Sequence, residues 1–420
     1  MREEWNERAR EDAHYYVAFG GRDQDEAGFD ATAADVLRNL EADLKRLPKD
    51  ANRRAWRALE IGCGPGRLMK PLSGYFGEIH GVDVSDEMIA MARERLRDIP
   101  HAHVHANNGA SLAQFADDSF DFVYTYAVFQ HIPSRDVVSD YMREIARVLK
   151  PGGVFRGQFN GLESYDAPTT WSGVSFSAAD IHNFTRETGL ELLALDGCET
   201  QYMWTTWRKP IGPPSTAELP PARIRRVTHA YTREPAVPNR GRHAAIAVWM
   251  ENLPAACDLN TLEILVDGFS GTPCYIGPPA ADGIQQINAW LPKEIRTGLL
   301  PVELRHNGQR ICEPSIVRII PAGPLIPRIV SITDGVNLVQ INRSTTGHLK
   351  VQLEEVSEPE LVSASVDDRP VTKIEVLCID PRAPRHELNL DLPPLSNGSH
   401  VLQLRVGKRR LLPAGIETSF

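Results

Sequence analysis

No stretch of this 420-residue chain approaches the roughly 20 continuous apolar residues that a bilayer demands, which excludes a helical membrane span. The opening run MREEWNERAREDAHYY alternates charges without an apolar core, so it reads as neither a leader nor an anchor. Cysteine is scarce. The six thiols (Cys63, Cys198, Cys257, Cys274, Cys312 and Cys378) include no C-x-x-C pair, which argues against a disulfide scaffold and fits reduced thiols in a cytoplasm. Cys257 with Cys274 is the one bridge the spacing leaves to consider. Basic residues are in deficit, 46 Lys and Arg against 55 Asp and Glu for a net charge of −9, so neither nucleic acid nor an anionic membrane surface is expected as partner. An apolar share of 42% and a charged share of 24% are those of a globular protein, and the length suggests two to four domains at about 150 residues each.

Glycine is present where it counts. RALEIGCGPGR (57–67) reads as a buried strand breaking into a loop dense in glycine. Gly62, Gly64 and Gly66 lack a Cβ, so the chain can turn sharply and bring its backbone against a ligand. The spacing is G-x-G-x-G, with Arg67 where a dinucleotide-binding loop carries its last glycine. Glu60, at the strand end, would repel a pyrophosphate and attract an ammonium group, which disfavours NAD and favours a zwitterionic nucleoside. GEIHGVDVS (77–85) is a second short strand ending in Asp83, 83 − 62 = 21 positions after the first glycine, where a carboxylate can accept two ribose hydroxyls. SDEMIAMARERLRDI (85–99) is a helix with Ser85 as its cap, Asp86 and Glu87 in its first turn, and Met88, Ile89, Ala92, Leu96 and Ile99 on one face.

Four blocks resemble the class I S-adenosylmethionine-dependent methyltransferases, of the type 11/25 small-molecule kind: LEIGCGPGR (59–67), GVDVSDEMIAMAR (81–93), SFDFVYTYAVFQHIP (119–133) and RVLKPGG (147–153). The resemblance implies an α/β, Rossmann-like sheet with helices on both faces and S-adenosylmethionine as cofactor. It implies that Glu60, Gly62, Cys63, Gly64 and Gly66 hold the methionine end, that Asp83 holds the ribose, and that Val84, Met88, Asn108, Gly109, Tyr126 and Tyr16 complete the cofactor pocket. Asn108 stands where the family usually has aspartate, and an amide can still bond a base edge.

Methyl transfer from a sulfonium is an in-line displacement, so positioning matters more than dedicated acids and bases and can supply about 7–11 kcal/mol. Open α/β sheets react at the carboxyl ends of their strands, which points to Tyr126, Gln130 and His131 for acceptor contact, with His131 as base unless VFQHIP simply caps the strand and starts the next helix. HAHVHA (101–106) would place His101, His103 and His105 on one strand face, but polar residues belong on a wet sheet edge and no metal site is expected. Cys63, in the glycine loop near a helix start, has a setting that lowers thiol pKa, yet is not expected to act as nucleophile. Trp171, Trp204 and Trp207 either line an acceptor pocket or fill core.

The domain organisation reads as a methyltransferase domain over 1–210, with a helical cap over 1–50 carrying Trp5, His14, Tyr15, Tyr16, Phe19 and Phe29, which either covers the cofactor or only docks on the core. SRDVVSDYMREIARVL (134–149), GVFRGQFN (153–160), SAADIHNFTRETG (177–189), ELLALDG and TQYMWTTWRK (200–209) continue the pattern as helix, strand, helix and two strands, the last antiparallel and closing the domain. The proline-rich 211–223 reads as a linker. Beyond it helical periodicity vanishes into short alternating strands, with Asn307–Gly308 a hairpin signal. INAWLP (287–292) recurs as LNLDLP (388–393), VELR (302–305) as LQLR (402–405), and VDG at 266 as VDD at 366, offsets of 100 or 101. Two copies of one β-sandwich follow, 224–325 and 326–420, and the first resembles the immunoglobulin-like TIG sandwiches. The expected acceptor is a small molecule or surface polymer, and the sandwiches would serve a protein or glycan partner or self-association. The alternative is a non-catalytic protein that binds S-adenosylmethionine or S-adenosylhomocysteine and uses the sandwiches for interaction.

Overall fold

Two structural cores share the first sheet because successive strand residues face opposite ways. A computed structural model describes residues 1–18, 25–47, 52–162, 167–212, 220–241, 243–293, 295–323, 325–336, 340–380 and 385–420. Phe19 and most of the expected linker lie outside the described residues. Strands β1 (Arg57–Ile61), β2 (Glu78–Asp83), β3 (Ala102–Ala106), β4 (Phe120–Thr125), β5 (Leu149–Phe159), β6 (Glu191–Asp196) and β7 (Met203–Arg208) lie in the order 3-2-1-4-5-7-6. β1 to β5 pair in parallel, and β7 runs antiparallel to both its neighbours. This is a Rossmann-like sheet with an antiparallel strand near one edge.

Helices cover both faces. Leu59, Ile61, Val123 and Phe155 face one core with α6 (Arg135–Val148) and α7 (Ala178–Thr188), while Ala58, Phe122, Tyr124 and Val154 face the other with α3 (Ala34–Leu44), α4 (Met69–Leu72) and α5 (Asp86–Arg95). Local sequence explains where these helices begin and end. Ser85 accepts from the Met88 amide, Ser134 from that of Val137, and Ser177 with Asp180 forms a full capping box ahead of Gly189, left-handed at φ 72°. On α6 the buried Val138, Tyr141, Met142, Ile145 and Val148 recur at helical spacing, each aliphatic side chain worth about 2 kcal/mol on burial. The helix after the glycine loop is only α4, four residues long, and it gives way directly to a 3-10 turn over Ser73–Tyr75. β5 begins at Leu149 rather than Gly153, so LKPGG is already strand.

The sheet does not stop at β6 and β7. Tyr275 of β13 (Thr272–Ile276) pairs antiparallel with Ala194 of β6, and the ladder runs on through β14 (Gln285–Trp290), β10 (Ala245–Glu251) and β8 (Arg223–His229). A second sheet of β12 (Phe269–Ser270), β11 (Leu262–Val266), β15 (Gly298–His306), β17 (Ser315–Ile320) and β9 (Ala236–Pro238), with β16 (Gln309–Arg310) on β15, shares its core. Contacts group Met1–Ala13 and Asp30–Ala322 into one unit and His14–Phe29 with Gly323–Phe420 into another. Helix α1 (Arg2–Ala18) is interrupted at Asp12, whose backbone is extended (φ −167°, ψ 89°), close to where the units divide.

The second unit repeats the same β architecture. β18 (Arg328–Asp334), β20 (His348–Glu354), β24 (Arg385–Asp391) and β23 (Lys373–Asp380) form one sheet; β19 (Arg343–Ser344), β27 (Ala414–Thr418), β25 (Gly398–Val406), β21 (Val362–Val366) and β22 (Arg369–Pro370), with β26 (Arg409–Arg410), form the other. β11, β12, β14, β15 and β16 start at 262, 269, 285, 298 and 309; β21, β22, β24, β25 and β26 start at 362, 369, 385, 398 and 409, each 100 later. Pairings match too, down to the parallel edge, β17 with β9 and β27 with β19. The recurring VDG and VDD mark one hairpin turn twice. Asp267–Gly268 sits at φ 53° and 83°, and Asp367–Asp368 at φ 47° and 63°. Asp368→Gly should therefore stabilise the second unit by about 1 kcal/mol, read as a higher urea midpoint; no shift would mean the turn is unstrained.

Candidate active site

The glycine loop is held to the end of β2 by its own backbone. The amides of Gly62 and Cys63 both donate to the Val82 carbonyl, at 2.8 and 3.0 Å. Gly62, Gly64 and Gly66 take φ of 70°, 51° and 81°, the left-handed region, so the expected tight turn is present. A Cβ on Gly62 would stand 2.3 Å from the Val128 side chain, on the loop after β4. Asp83 closes the cradle. Its carboxylate accepts from the Gly64 amide at 2.9 Å and the Ser85 amide at 2.8 Å; burial raises its pKa while these amides pull it back. Glu60 is 3% exposed, and Tyr124 donates to it at 2.8 Å. Burial pushes its pKa to about 8, against the Tyr124 hydrogen bond and the Arg67 charge.

Cys63 is buried, and burial with the charges of Asp83 and Glu60 pushes its thiol pKa up, opposite to the helix-start effect read from the sequence. All six cysteines are unbridged, Cys257 and Cys274 included. Val84 is half-buried beside Gly109, Met88 is buried on α5, and Asn108 is exposed with its side-chain oxygen accepting the Ala110 and Ser111 amides, so its NH2 is the end left to a ligand. Asn107, which spacing did not single out, is the buried member of the pair, bonded to the Tyr141 hydroxyl at 3.0 Å and to the Gly109 amide. Tyr16 lies in His14–Phe29, outside the unit that holds these residues.

Beyond β4, Tyr126 is half-buried and lies parallel to Trp204, centroids 5.5 Å apart, with the Arg67 guanidinium 5.9 Å from the Tyr126 ring centre and that of Arg156 4.7 Å from that of Trp204. Trp207 is core, and Trp171 is 48% exposed. His131 is buried, and its tautomer follows from a chain of donors. The Ala127 amide donates to Gln158 Oε1, so Gln158 Nε2 donates to Gln130 Oε1 at 2.9 Å, and Gln130 Nε2 then faces His131 Nε2 at 3.3 Å. His131 Nδ1 donates to the Trp171 carbonyl at 2.9 Å. Burial lowers the His131 pKa to about 4, so the ring is neutral at pH 7 with its Nε2 lone pair towards Gln130. Gln158, fully buried in β5, went unseen in the sequence, although a glutamine in an apolar strand was its signal.

The front of α1 lies across these strand ends. Arg2 pairs with Asp86 at 2.8 Å and donates to the Asn107 carbonyl, Asn6 accepts from the Ser85 hydroxyl at 2.7 Å, and Arg10 pairs with Glu87 at 3.0 Å. On the far side Trp5 meets His131 edge-on at 5.4 Å. Of the N-terminal stretch, Met1–Ala13 belongs to the unit that holds these strands. His103 and His105 of β3 share one face and both meet His80, ring centres 5.0 and 5.5 Å away, while His101 precedes the strand. His101 faces the Ser73 carbonyl, His105 meets His80 at 3.2 Å, and His103 lies 3.6 Å from Glu78, a carboxylate that spacing did not place there; no metal-holding group occurs among the described residues.

The chain is 37% identical over 97 residues to phosphoethanolamine N-methyltransferase 2 of Caenorhabditis elegans, covering 23% of this chain and 22% of that protein. It is 33% identical over 132 residues to methyltransferase GfsG of Streptomyces halstedii, covering 31% and 45%. Among solved structures, magnesium protoporphyrin IX methyltransferase of Synechocystis with bound SAH aligns at TM-score 0.37 and 16% identity over 50% of this chain and 97% of that one. The chain spans less than half the length of the curated relatives it matches. Residues 59–156, which hold the glycine loop, Asp83 and His131, match the methyltransferase-domain family model and are a methyltransferase domain.

Proposed function

We propose that the chain moves a methyl group from S-adenosylmethionine to an oxygen, nitrogen or carbon of a small molecule or surface polymer. The observation that carries this is the cradle of Gly62, Gly64 and Gly66 closed by Asp83, where a single Cβ at Gly62 would collide with Val128. The residues fit the cofactor: two carboxyl groups, Glu60 and Asp83, flank a bare loop suited to an ammonium group and a ribose. When bound, S-adenosylmethionine supplies a methyl carbon activated by its sulfonium. Gly62, Cys63, Gly64 and Gly66 would give close backbone approach, Asp83 would accept ribose hydroxyls, and Val84, Met88, Asn108 and Gly109 would border the base.

Tyr126 and His131 face the acceptor side in this reading. His131, neutral and held by the Trp171 carbonyl and Gln130, can accept a proton at Nε2 once Gln130 turns away. In this reading the front of α1 would keep water from the site. We read both β-rich copies as immunoglobulin-like sandwiches of the TIG kind, with domain limits 1–210, 224–325 and 326–420, a cytoplasmic setting, and protein, glycan or self-association as the sandwiches' use. The paired sheets around a single core, repeated at an offset of 100, support this reading. Incubating the full chain with S-adenosylmethionine and a fractionated metabolite pool should release S-adenosylhomocysteine in an acceptor-dependent way. Binding without release from any fraction would favour the non-catalytic alternative.

A further inference from the structure

Arg8 of α1 lies on the side of the helix that faces His131. Its guanidinium stands 4.7 Å from the ring centre of Trp5 and 5.5 Å from that of Trp171, and both indoles border His131, at 5.4 and 6.0 Å between ring centres. Its hydrogen bonds go to neutral atoms only, the carbonyl and hydroxyl of Thr170, at 3.2 and 3.1 Å. Glu4, one turn earlier on the same helix, has its carboxylate on the Thr170 hydroxyl at 2.9 Å and the N-terminal ammonium at 2.8 Å and feels the Arg8 charge, but no ion pair to Arg8 exists among the described residues. A half-buried positive charge is therefore held against two aromatic faces, beside the imidazole, and Glu4 meets it only through the Thr170 hydroxyl and its electrostatic field, not in an ion pair.

We propose that Arg8 selects the acceptor, and that the acceptor class is an aromatic or conjugated acid whose anionic group pairs with Arg8 while its ring lies against Trp5 and Trp171. This rests on the methyltransferase reading above. Two indoles around a vacant centre would suit a cationic acceptor, but here Arg8 already occupies their faces and repels a second cation. A guanidinium with unused N–H groups offers a carboxylate or phenolate a two-point bond, which a neutral amide cannot match. Trp171, at 48% exposure, leaves one indole open to solvent for the ring to reach.

The test titrates 4-hydroxybenzoate, 4-hydroxybenzamide and 4-hydroxybenzylamine into the full chain saturated with S-adenosylhomocysteine. The acid should bind about tenfold or more tighter than the amide, and the amine weakest. Arg8→Gln should erase the acid-to-amide ratio while S-adenosylhomocysteine affinity stays within about twofold, and Arg8→Lys should restore part of it. Equal binding of acid and amide, a preference that survives in Arg8→Gln, or no binding of any of the three to the loaded chain would overturn the proposal. Failure of S-adenosylhomocysteine to bind at all would instead strike the methyltransferase reading beneath it.

Discussion

Asp83→Ala should cost the chain at least about a hundredfold in S-adenosylmethionine affinity. In the reading above its carboxylate accepts two ribose hydroxyls, and each charge-assisted bond contributes about 1.5–3 kcal/mol. The same carboxylate ties the Gly64 amide to the Ser85 amide, so alanine also loosens the glycine loop against β2. Asp83→Asn keeps one oxygen acceptor and should fall between wild type and alanine. Calorimetric titration with circular dichroism as the fold control measures both; full affinity in Asp83→Ala would remove this residue from the site.

Glu60→Gln should raise stability and lower cofactor affinity, two effects that rarely go together. The Glu60 carboxyl titrates at 4.5 in the reference state and at about 8 in the fold, where burial disfavours its charge. Between those values the native state keeps a proton that the unfolded chain has lost, so its stability falls as pH rises from about 4.5 to 8. By pH 9 the cost is on the order of 5 kcal/mol, and a neutral glutamine, which like the protonated acid has an N–H or O–H to place, avoids it. The variant should match wild type near pH 5 and unfold at higher urea near pH 9. It should nonetheless bind S-adenosylmethionine about tenfold or more weakly, because the carboxylate that an ammonium group would draw out is gone. Equal urea midpoints at pH 9 would show that Glu60 is not held neutral by the fold.

What the sequence made legible was what short-range chemistry decides. The glycine loop and the Ser85 and Ser177 caps follow from glycine placement and capping residues, and the antiparallel last strand from the family resemblance; the 3-2-1-4-5-7-6 order and the Asp180 half of the capping box came only with the structure. The β repeat was legible too, since VDG and VDD carry the same left-handed turn. Contacts between distant residues were not. Nothing in MREEWNERAREDAHYY says that Asn6 bonds Ser85, 79 positions away, or that Arg8 reaches Thr170, 162 away. Cys63 was misread because a nearby helix start is a local cue, while its burial beside Glu60 and Asp83 is set by tertiary packing. The continuation of the sheet from β6 to β13 rests on a single antiparallel pair, Ala194 with Tyr275, and Arg46 reinforces it by donating to the Ile276 carbonyl at 2.7 Å.

The most direct measurement is a calorimetric titration of the full chain with S-adenosylmethionine and, separately, with NAD. The expected result is saturable one-site binding of the sulfonium nucleoside and no heat from the dinucleotide. Silence towards S-adenosylmethionine at millimolar concentration, or saturable uptake of NAD, would contradict the assignment of the glycine cradle.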